Sequence, residues 1–319
     1  MEYKLHGFKE VVFSVRNLEA DTQMYTSLGG WEVIDKTELA RNQLDFWKLP
    51  TNAVAHSNLL KYPGRDFGLL RLVSFQNVPQ KHIRSNSQSW DTGGIYDVDL
   101  RVADIEQKIE DFQSYGWTGF CDYEEYHFNQ FHVSEILMKG SEDIVFALIQ
   151  RHAPTLVGFP LLKEMSHIFN SSQIVRDINI SKEFFLDKLG WQVYMENISE
   201  NSPAGPNVFG IPHNIYPNTR RHIQILSPDG NNEGSVELVE IEGLEGRDFT
   251  NQCAPPNLGI LMLRYPVENI AAYKDRLISK GVEIINHAKG INLSPYGKAE
   301  IMSIQTPDGA WMEFYELED

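Results

Sequence analysis

Apolar and polar positions follow the same order four times along this chain. Each repeat opens on a short apolar, strand-like segment, at residues 10–15, 97–102, 170–175 and 260–265. A segment with helical spacing follows and ends at a glycine, and further strand-like segments complete the repeat. A repeat of this length is weighed before any single motif, because it constrains the whole fold. The pattern predicts an α+β protein of four modules, each with a strand, a helix and three more strands (βαβββ).

The predicted helix boundaries carry suitable residues. Asn17 and Asp177 stand where a side chain can cap the first turn of a helix. Gly30 and Gly190 stand where the first and third helices stop, with glycines at the matching places in the other two modules. A tryptophan follows the stop in three modules, and we predict that all three pack a helix on its sheet: Trp31, Trp117 and Trp191.

The rest of the first module is predicted as strands at residues 31–36, 44–49 and 68–75. The third module contains the longest insertion, at residues 199–220, which is rich in Asn, Pro and Gly. An insertion of this length on a regular scaffold commonly covers a binding site. We therefore expect it at the rim of a pocket.

The 319 residues are enough for two domains. A Pro- and Gly-containing stretch at residues 151–162 separates the halves. We predict an N-terminal domain at 1–153 and a C-terminal domain at 160–319, each made of two consecutive modules whose sheet curls into a cup. The modules are expected at about 5–78 and 92–151 in the first domain, and at about 162–243 and 256–317 in the second.

Net charge narrows the choice of partners. The chain carries a formal charge of −16, which disfavours nucleic acid and anionic membranes as partners. Its two cysteines, Cys121 and Cys253, have no metal-binding or disulfide spacing. No apolar run reaches the length of a signal peptide or a membrane span, so a cytoplasmic protein that binds a small molecule is expected.

Recurring short motifs carry a family resemblance. They include Val15 with Leu18, Val175 with Asp177, and the turn 306–309 before Glu313. In these motifs the chain resembles the vicinal oxygen chelate superfamily, which includes glyoxalases, bleomycin resistance proteins and extradiol dioxygenases. The resemblance implies the cup-shaped fold and, at family level, a homodimer. It does not choose among the superfamily's activities.

The resemblance also places the metal ligands of the extradiol enzymes. The two imidazole positions fall on Asn170 and Ile260, and the carboxylate position falls on Glu313. Because both histidines are missing, we expect no tightly bound iron. Asn170, Glu237 and Glu313 could still form an all-oxygen site for a divalent cation such as Mg²⁺, Mn²⁺ or Ca²⁺.

The C-terminal half is predicted to hold the working pocket, between the third and fourth modules. His222 matches the family's acid/base histidine, and we expect it to act with Glu313 and Glu237 as the catalytic groups. The substrate-binding positions are expected on the same cup, at Asn170, Ser172, Ser303 and Tyr315. The N-terminal cup is expected to be vestigial.

Two further expectations concern charged side chains of the first half. Arg71 should form an ion pair with Glu10. His127 and His132 are expected on opposite faces of one strand, because they are five residues apart.

Three functions stay open from the sequence. The first is an enzyme that acts on a small organic molecule by acid/base chemistry, such as an isomerase or lyase. The second is a ring-cleaving dioxygenase with an altered site, which the missing histidines disfavour. The third is a metal-free binding or resistance protein with an acidic, aromatic cup for a cationic ligand.

Overall fold

The computed structural model describes residues 2–159, 162 and 164–318. The helices are α1 (Leu18–Gly29), α2 (Arg41–Phe46), α3 (Ile105–Ser114), α4 (Ile178–Glu183, continued by a π-helical turn at Phe184–Lys188) and α5 (Ile270–Ser279). The strands of the first half are β1 (Lys4–Leu5), β2 (Glu10–Ser14), β3 (Glu32–Glu38), β4 (Val54–Lys61), β5 (Leu69–Gln76), β6 (Asp97–Arg101), β7 (Thr118–Gly119), β8 (Glu124–Phe128), β9 (Phe131–Lys139) and β10 (Val145–Ala153). Those of the second half are β11 (Asn170–Ile174), β12 (Gln192–Ser199), β13 (Arg220–Ser227), β14 (Ser235–Glu242), β15 (Gly259–Glu268), β16 (Asn286–Leu293), β17 (Gly297–Gln305) and β18 (Trp311–Leu317).

Each predicted module opens as its sequence indicates. Strands β2, β6, β11 and β15 lead into helices α1, α3, α4 and α5. Asn17 accepts a hydrogen bond from the amide of Ala20, and Asp177 caps α4 in the same way. Gly30 has a φ of 64°, a left-handed conformation that closes α1 and that glycine adopts without steric cost. The predicted helix boundaries are therefore confirmed.

The pairing of the modules differs from the prediction. In the described residues, the strands form two nine-stranded sheets. One sheet has the order β16-β17-β18-β15-β2-β5-β4-β3, with β1 on β15, and thus joins the fourth module to the first. The other has the order β12-β13-β14-β11-β6-β10-β9-β7, with β8 on β9, and joins the third module to the second. Each curled sheet therefore takes its strands from both halves of the chain.

The central contact of each sheet is an antiparallel pair of opening strands, β2 with β15 and β6 with β11. The prediction that consecutive modules share a cup is therefore wrong, and the ranges 1–153 and 160–319 do not correspond to the two sheets. Residue 160, where the second domain was expected to begin, lies outside the described residues.

The convex backs of both sheets share one hydrophobic core with the module helices. Phe13 on β2 and Phe146 on β10 belong to different sheets, yet their ring centroids are 5.9 Å apart. The three tryptophans predicted to pack the helices, Trp31, Trp117 and Trp191, are all buried in this core. The four module helices α1, α3, α4 and α5 thus lie outside the cups, as predicted, and the concave faces point away from the shared core. None of the described helices is both long and apolar enough to cross a membrane.

Candidate functional site

The cup formed by the first and fourth modules is filled, and we call it the filled cup. Its floor is an ion-pair network of buried side chains. Arg71 donates to both oxygens of Glu10, at 2.7 and 2.8 Å, as predicted. Arg264 donates to Glu10 at 3.3 Å and to Glu313 at 2.7 Å. Burial alone would raise the pKa of Glu10, but the two arginines outweigh it and hold the pKa at about 2.

Helix α2 and the residue after it close this cup. Residues 44–49 were predicted as a strand, but α2 ends at Phe46 and the next strand begins only at Val54. The segment places Leu44, Phe46 and Trp47 in an apolar cluster on the concave face. The indole Nε1 of Trp47 donates to Glu313 at 2.6 Å. Glu313 is thus bonded through both oxygens, by Trp47 and by Arg264, and lies under apolar packing, so it has no free contact for a substrate.

The cup formed by the second and third modules, the open cup, contains a cavity of about 280 Å³. Alternate residues of its strands face the cavity, so Asp97 and Asp99 of β6 lie beside Asn170 and Ser172 of β11. Part of the 199–220 insertion also lines the cavity, at Pro206–Phe209 and Tyr216. A concave, partly apolar space with a few converging polar groups is the usual form of a small-molecule site.

Four carboxyl groups form the floor of this cavity, and we call them the acid floor: Asp97, Asp99, Glu135 and Glu237. Asp97 lies opposite Ser172 in the central antiparallel pair, and Ser172 lies beside Glu237 in the next, parallel pair. Tyr126 donates its hydroxyl hydrogen to Glu135 from the neighbouring hairpin.

The pKa values of all four carboxyl groups of the acid floor are raised. Burial raises the pKa of Asp97 to about 6, although hydrogen bonds from Ser172 oppose the shift. Burial also raises the pKa of Glu135 to about 7. The pKa values of Asp99 and Glu237 are raised further, first by burial and then by the neighbouring carboxylates. These groups therefore lack the compensating cations that the filled cup supplies.

The raised pKa values predict a dependence of stability on pH. Between roughly pH 4 and 7 the folded state binds more protons than the unfolded chain, because Asp97 and Glu135 titrate higher when folded. The contribution of Glu135 to the free energy of unfolding should therefore rise as the pH falls from 8 to 5, by roughly 2 kcal/mol. Urea denaturation of the wild type and of Glu135→Gln at pH 8, 6.5 and 5 measures it.

The variant should be the more stable protein at pH 8, and its advantage should shrink towards pH 5. Asn58 is buried in the sheet of the filled cup, and Asn58→Asp is the comparison variant. Its new buried acid should make the protein more stable as the pH falls, as Glu135 does in the wild type. An advantage for Glu135→Gln that stays constant over this range would contradict the raised pKa.

The register relates the two cups position by position. In the filled cup, Glu10 lies opposite Arg264, which lies beside Glu313. In the open cup, the corresponding positions hold Asp97, Ser172 and Glu237. Both acids are thus present in both cups, but a serine replaces the arginine.

The second arginine of the filled cup is replaced as well. Arg71 lies beside Val12, two residues after Glu10. Its counterpart in the open cup is Ala147, which lies beside Asp99, two residues after Asp97. The open cup therefore holds the acids of the filled cup, and two more at Asp99 and Glu135, without either arginine.

The residues do not fit the metal site that the fold family suggests. Among residues 2–159, 162 and 164–318, no three His, Cys, Asp or Glu side chains lie close enough together to hold one ion. The proposed oxygen set of Asn170, Glu237 and Glu313 cannot assemble, because Glu313 belongs to the other sheet. Ile260 does not occupy a ligand position either. The residue of β15 that lies opposite Glu10 is Arg264, four residues further along the strand.

The predicted site residues separate into three groups. Asn170, Ser172 and Glu237 line the cavity together. Glu313, Ser303 and Tyr315 lie in the sheet of the filled cup. Ser303 is the strand partner of Glu313, and Tyr315 packs in the apolar cluster. The prediction of one cavity containing all of them is therefore wrong, because the modules pair differently.

His222 does not face the cavity. Its neighbours Arg221 and Ile223 line the cup, so alternation turns His222 to the opposite face of β13. There its Nε2 lies 2.7 Å from Oε1 of Glu196. His222 and Glu313 therefore cannot act on one substrate, and their predicted catalytic partnership is wrong.

Several cavity residues were missed by the sequence analysis. Asp99 and Glu135 gave a signal, since each is a charged residue that alternates with apolar residues in a buried strand: Val98 and Leu100 flank Asp99, and Ile136 follows Glu135. His127 and His132 are partners across the β8–β9 hairpin, and their rings stack with centroids 4.5 Å apart. The expectation of opposite faces is wrong because the chain turns between them, and His127 lines the cavity.

Comparison with solved structures gives the same architecture. Glyoxalase I from Zea mays is similar over 99% of this chain and 92% of its own, with 15% identity and a TM-score of 0.62. A candidate dioxygenase from Bacillus subtilis is similar over 99% of this chain and 86% of its own, with 9% identity and a TM-score of 0.58. The chain has the vicinal oxygen chelate fold. No protein-family model and no curated protein matches the sequence.

At this level of identity the likeness establishes the fold of this chain and not its activity. The open cup is the candidate functional site. It contains the cavity, and some of its buried charged groups have no hydrogen-bond partner in the described residues.

Proposed function

We propose that this vicinal oxygen chelate protein binds a small organic molecule in the open cup. The observation that carries the proposal is the difference between the two cups. In the filled cup, α2 and Trp47 occupy the concave face, and the acids Glu10 and Glu313 are each paired with an arginine. In the open cup, the same face surrounds a cavity with an acidic floor and aromatic walls.

The walls suit a small organic ligand. Tyr126, Phe128, Phe169, Tyr194 and Phe209 line the cavity from different strands and from the insertion. Aromatic rings offer a large contact area with little loss of side-chain freedom, while the acids below them fix the orientation of a ligand. The volume of about 280 Å³ limits the occupant to a compact molecule.

Acid/base catalysis in the same cup is a second candidate, favoured by one contact. Glu135 accepts a hydrogen bond from Tyr126, and its pKa is raised to about 7, mainly by burial. A carboxyl group that titrates near neutral pH can both take and return a proton. This chemistry replaces the predicted triad of His222, Glu313 and Glu237, of which only Glu237 lines the cavity.

Blocking the open cup should abolish binding. Ile223 faces the cavity from β13, and Ile223→Trp would place an indole in it. Its matched control is His222→Ala on the opposite face of the same strand. Native mass spectrometry against a library of small organic molecules should detect ligands of the wild type and of His222→Ala that Ile223→Trp no longer binds.

Any ligand found is then incubated with wild type and Glu135→Gln and followed for chemical change. Conversion that requires Glu135 would support catalysis, and unchanged ligand would support binding alone. The proposal fails if the library yields no ligand, or if every ligand binds Ile223→Trp as well as the wild type.

A further inference from the structure

We propose that the ligand of the open cup is a small zwitterion. Its guanidinium or ammonium head lies on the acid floor, where Arg264 places its guanidinium in the filled cup, and its acid group reaches Arg101 and Arg151. This inference rests on the proposed binding function and names the chemical class of the ligand.

The filled cup shows what the acids of this floor require. Its Glu10 and Glu313 are bridged by Arg264, whose Nε and Nη1 reach one carboxylate each. In the open cup, the equivalent acids Asp97 and Glu237 flank Ser172, whose side chain is too short to supply a cation. A ligand with a planar guanidinium or an ammonium group can supply the missing charge from the cavity.

The position beside Asp99 leads to the same conclusion. Asp99 is only 6% exposed, lines the cavity, and its Oδ1 accepts no hydrogen bond from the described residues. Its neighbour Ala147 stands where the filled cup has Arg71. A buried acceptor without a donor destabilises the folded state, and a cationic head that donates hydrogen bonds would remove this cost.

The opposite charge lies further along the same strand. Arg101 follows Asp99 by two residues, so it faces the same cavity at a distance of about 6.6 Å along β6. Arg101 is 4% exposed, and its Nε and Nη1 have no acceptor in the described part of the chain. Its Nη2 is bonded to Glu233 at 2.8 Å, and its Cζ stacks 3.7 Å from the ring centroid of Phe169, so the unmet need of this guanidinium is for hydrogen-bond acceptors at Nε and Nη1.

Arg151 adds a second cation at this end. It lines the cavity and stacks on Phe131, with its Cζ 4.5 Å from the ring centroid. The arginines outnumber their acidic partner Glu233, which also bonds His167 at 2.6 Å. An anionic group on the ligand would balance them.

A third arginine, Arg221, lines the opposite end of the cavity but is already occupied. It donates to the carbonyl oxygen of Thr219 at 2.8 Å and to Ser202, and it stacks on Tyr216. The unmet charges therefore run in one direction, from the acid floor to Arg101 and Arg151. A molecule whose cation and anion are separated by roughly two strand residues matches this arrangement.

Three probes of equal length separate the two charges. 4-Guanidinobutanoate carries both charges, butylguanidine carries only the cation, and 4-ureidobutanoate carries only the anion. Isothermal titration at pH 8 should rank 4-guanidinobutanoate first, with at least a tenfold loss of affinity for each of the other two. Arg151→Gln should weaken 4-guanidinobutanoate but leave butylguanidine unchanged.

If 4-ureidobutanoate binds as well as 4-guanidinobutanoate, or if neither guanidine binds, the proposal is wrong. If Mg²⁺ alone occupies the acid floor and displaces the guanidines at equal concentration, the floor is a metal site and the proposal is also wrong. Ligands found by the library screen that are neutral would overturn this inference while leaving the proposed binding function intact.

A variant tests the acid floor without any ligand. Ser172→Arg should rebuild the network of the filled cup, with the new guanidinium between Asp97 and Glu237. Ser172→Gln is the control for size and polarity. At pH 8 the arginine variant should unfold about 3–6 °C above the glutamine variant, and the difference should shrink at pH 5, where the acids are protonated.

Ser172→Arg should also lose the binding of butylguanidine, because the new side chain occupies its place. An arginine variant that unfolds at or below the temperature of the glutamine variant at pH 8 would show that the floor does not accept a guanidinium, and the proposal would then be overturned whatever the probes show.

Discussion

Expressed as separate fragments, residues 1–155 and 156–319 will each fail to form a cooperatively folded monomer. Each fragment contains two modules whose central strands pair with the other fragment, β2 with β15 and β6 with β11. Both fragments would therefore expose unpaired central strands and the apolar surface that the shared core buries. Far-ultraviolet circular dichroism and urea denaturation of each fragment would measure this loss.

Co-expression supplies the control. The two fragments together should give a one-to-one complex with the unfolding transition of the intact chain, because all the strand partners are then present. The topology would be contradicted if residues 1–155 formed a stable monomer with a sharp transition of its own, since β2 and β6 would then pair without the second half.

The repeat allowed the module to be predicted but not the partner of each module. The opening strands, the caps at Asn17 and Asp177 and the glycine stops are local features, so sequence spacing defines them. Which two modules share a sheet depends on contacts between strand residues that lie more than 70 positions apart along the chain. The opening strands β2, β6 and β11 are buried over their whole length and β15 over its first seven residues, so the alternation within one strand does not distinguish their pairings.

The site was predicted in part for the same reason. Asn170, Ser172 and Glu237 belong to one module, so alternation along β11 and β14 placed them together. Glu313 was assigned to their cup only through the assumed pairing of the third and fourth modules. His222 was assigned by motif, and strand parity places it on the outer face.

The segment at residues 44–49, which closes the filled cup, shows that tertiary packing can override a local sequence pattern. Residues 44–49 alternate well enough to resemble a strand, but α2 forms there because Leu44, Phe46 and Trp47 find an apolar surface on the concave face. In the open cup, no segment of the described residues fills the concave face in this way. This difference between the cups could not be predicted from either module alone.

Replacing Arg264 with methionine will lower the free energy of unfolding by about 3–5 kcal/mol at pH 7. The side chain is fully buried between Glu10 and Glu313. Glu10 keeps Arg71, but Glu313 keeps only the indole hydrogen of Trp47 and becomes a buried charge without a cation. Urea denaturation at pH 7 would measure the loss, which should exceed that of Arg16→Met, because the side chain of Arg16 is 62% exposed.

The double variant Arg264→Met/Glu313→Gln should recover most of the loss, because a neutral amide can still accept the hydrogen bond from Trp47. A loss below 1 kcal/mol, or a double variant less stable than the single one, would mean that the network does not stabilise the filled cup. Asp97 and Glu237 of the open cup would then need no cation either, because they occupy the positions of Glu10 and Glu313 in the filled cup.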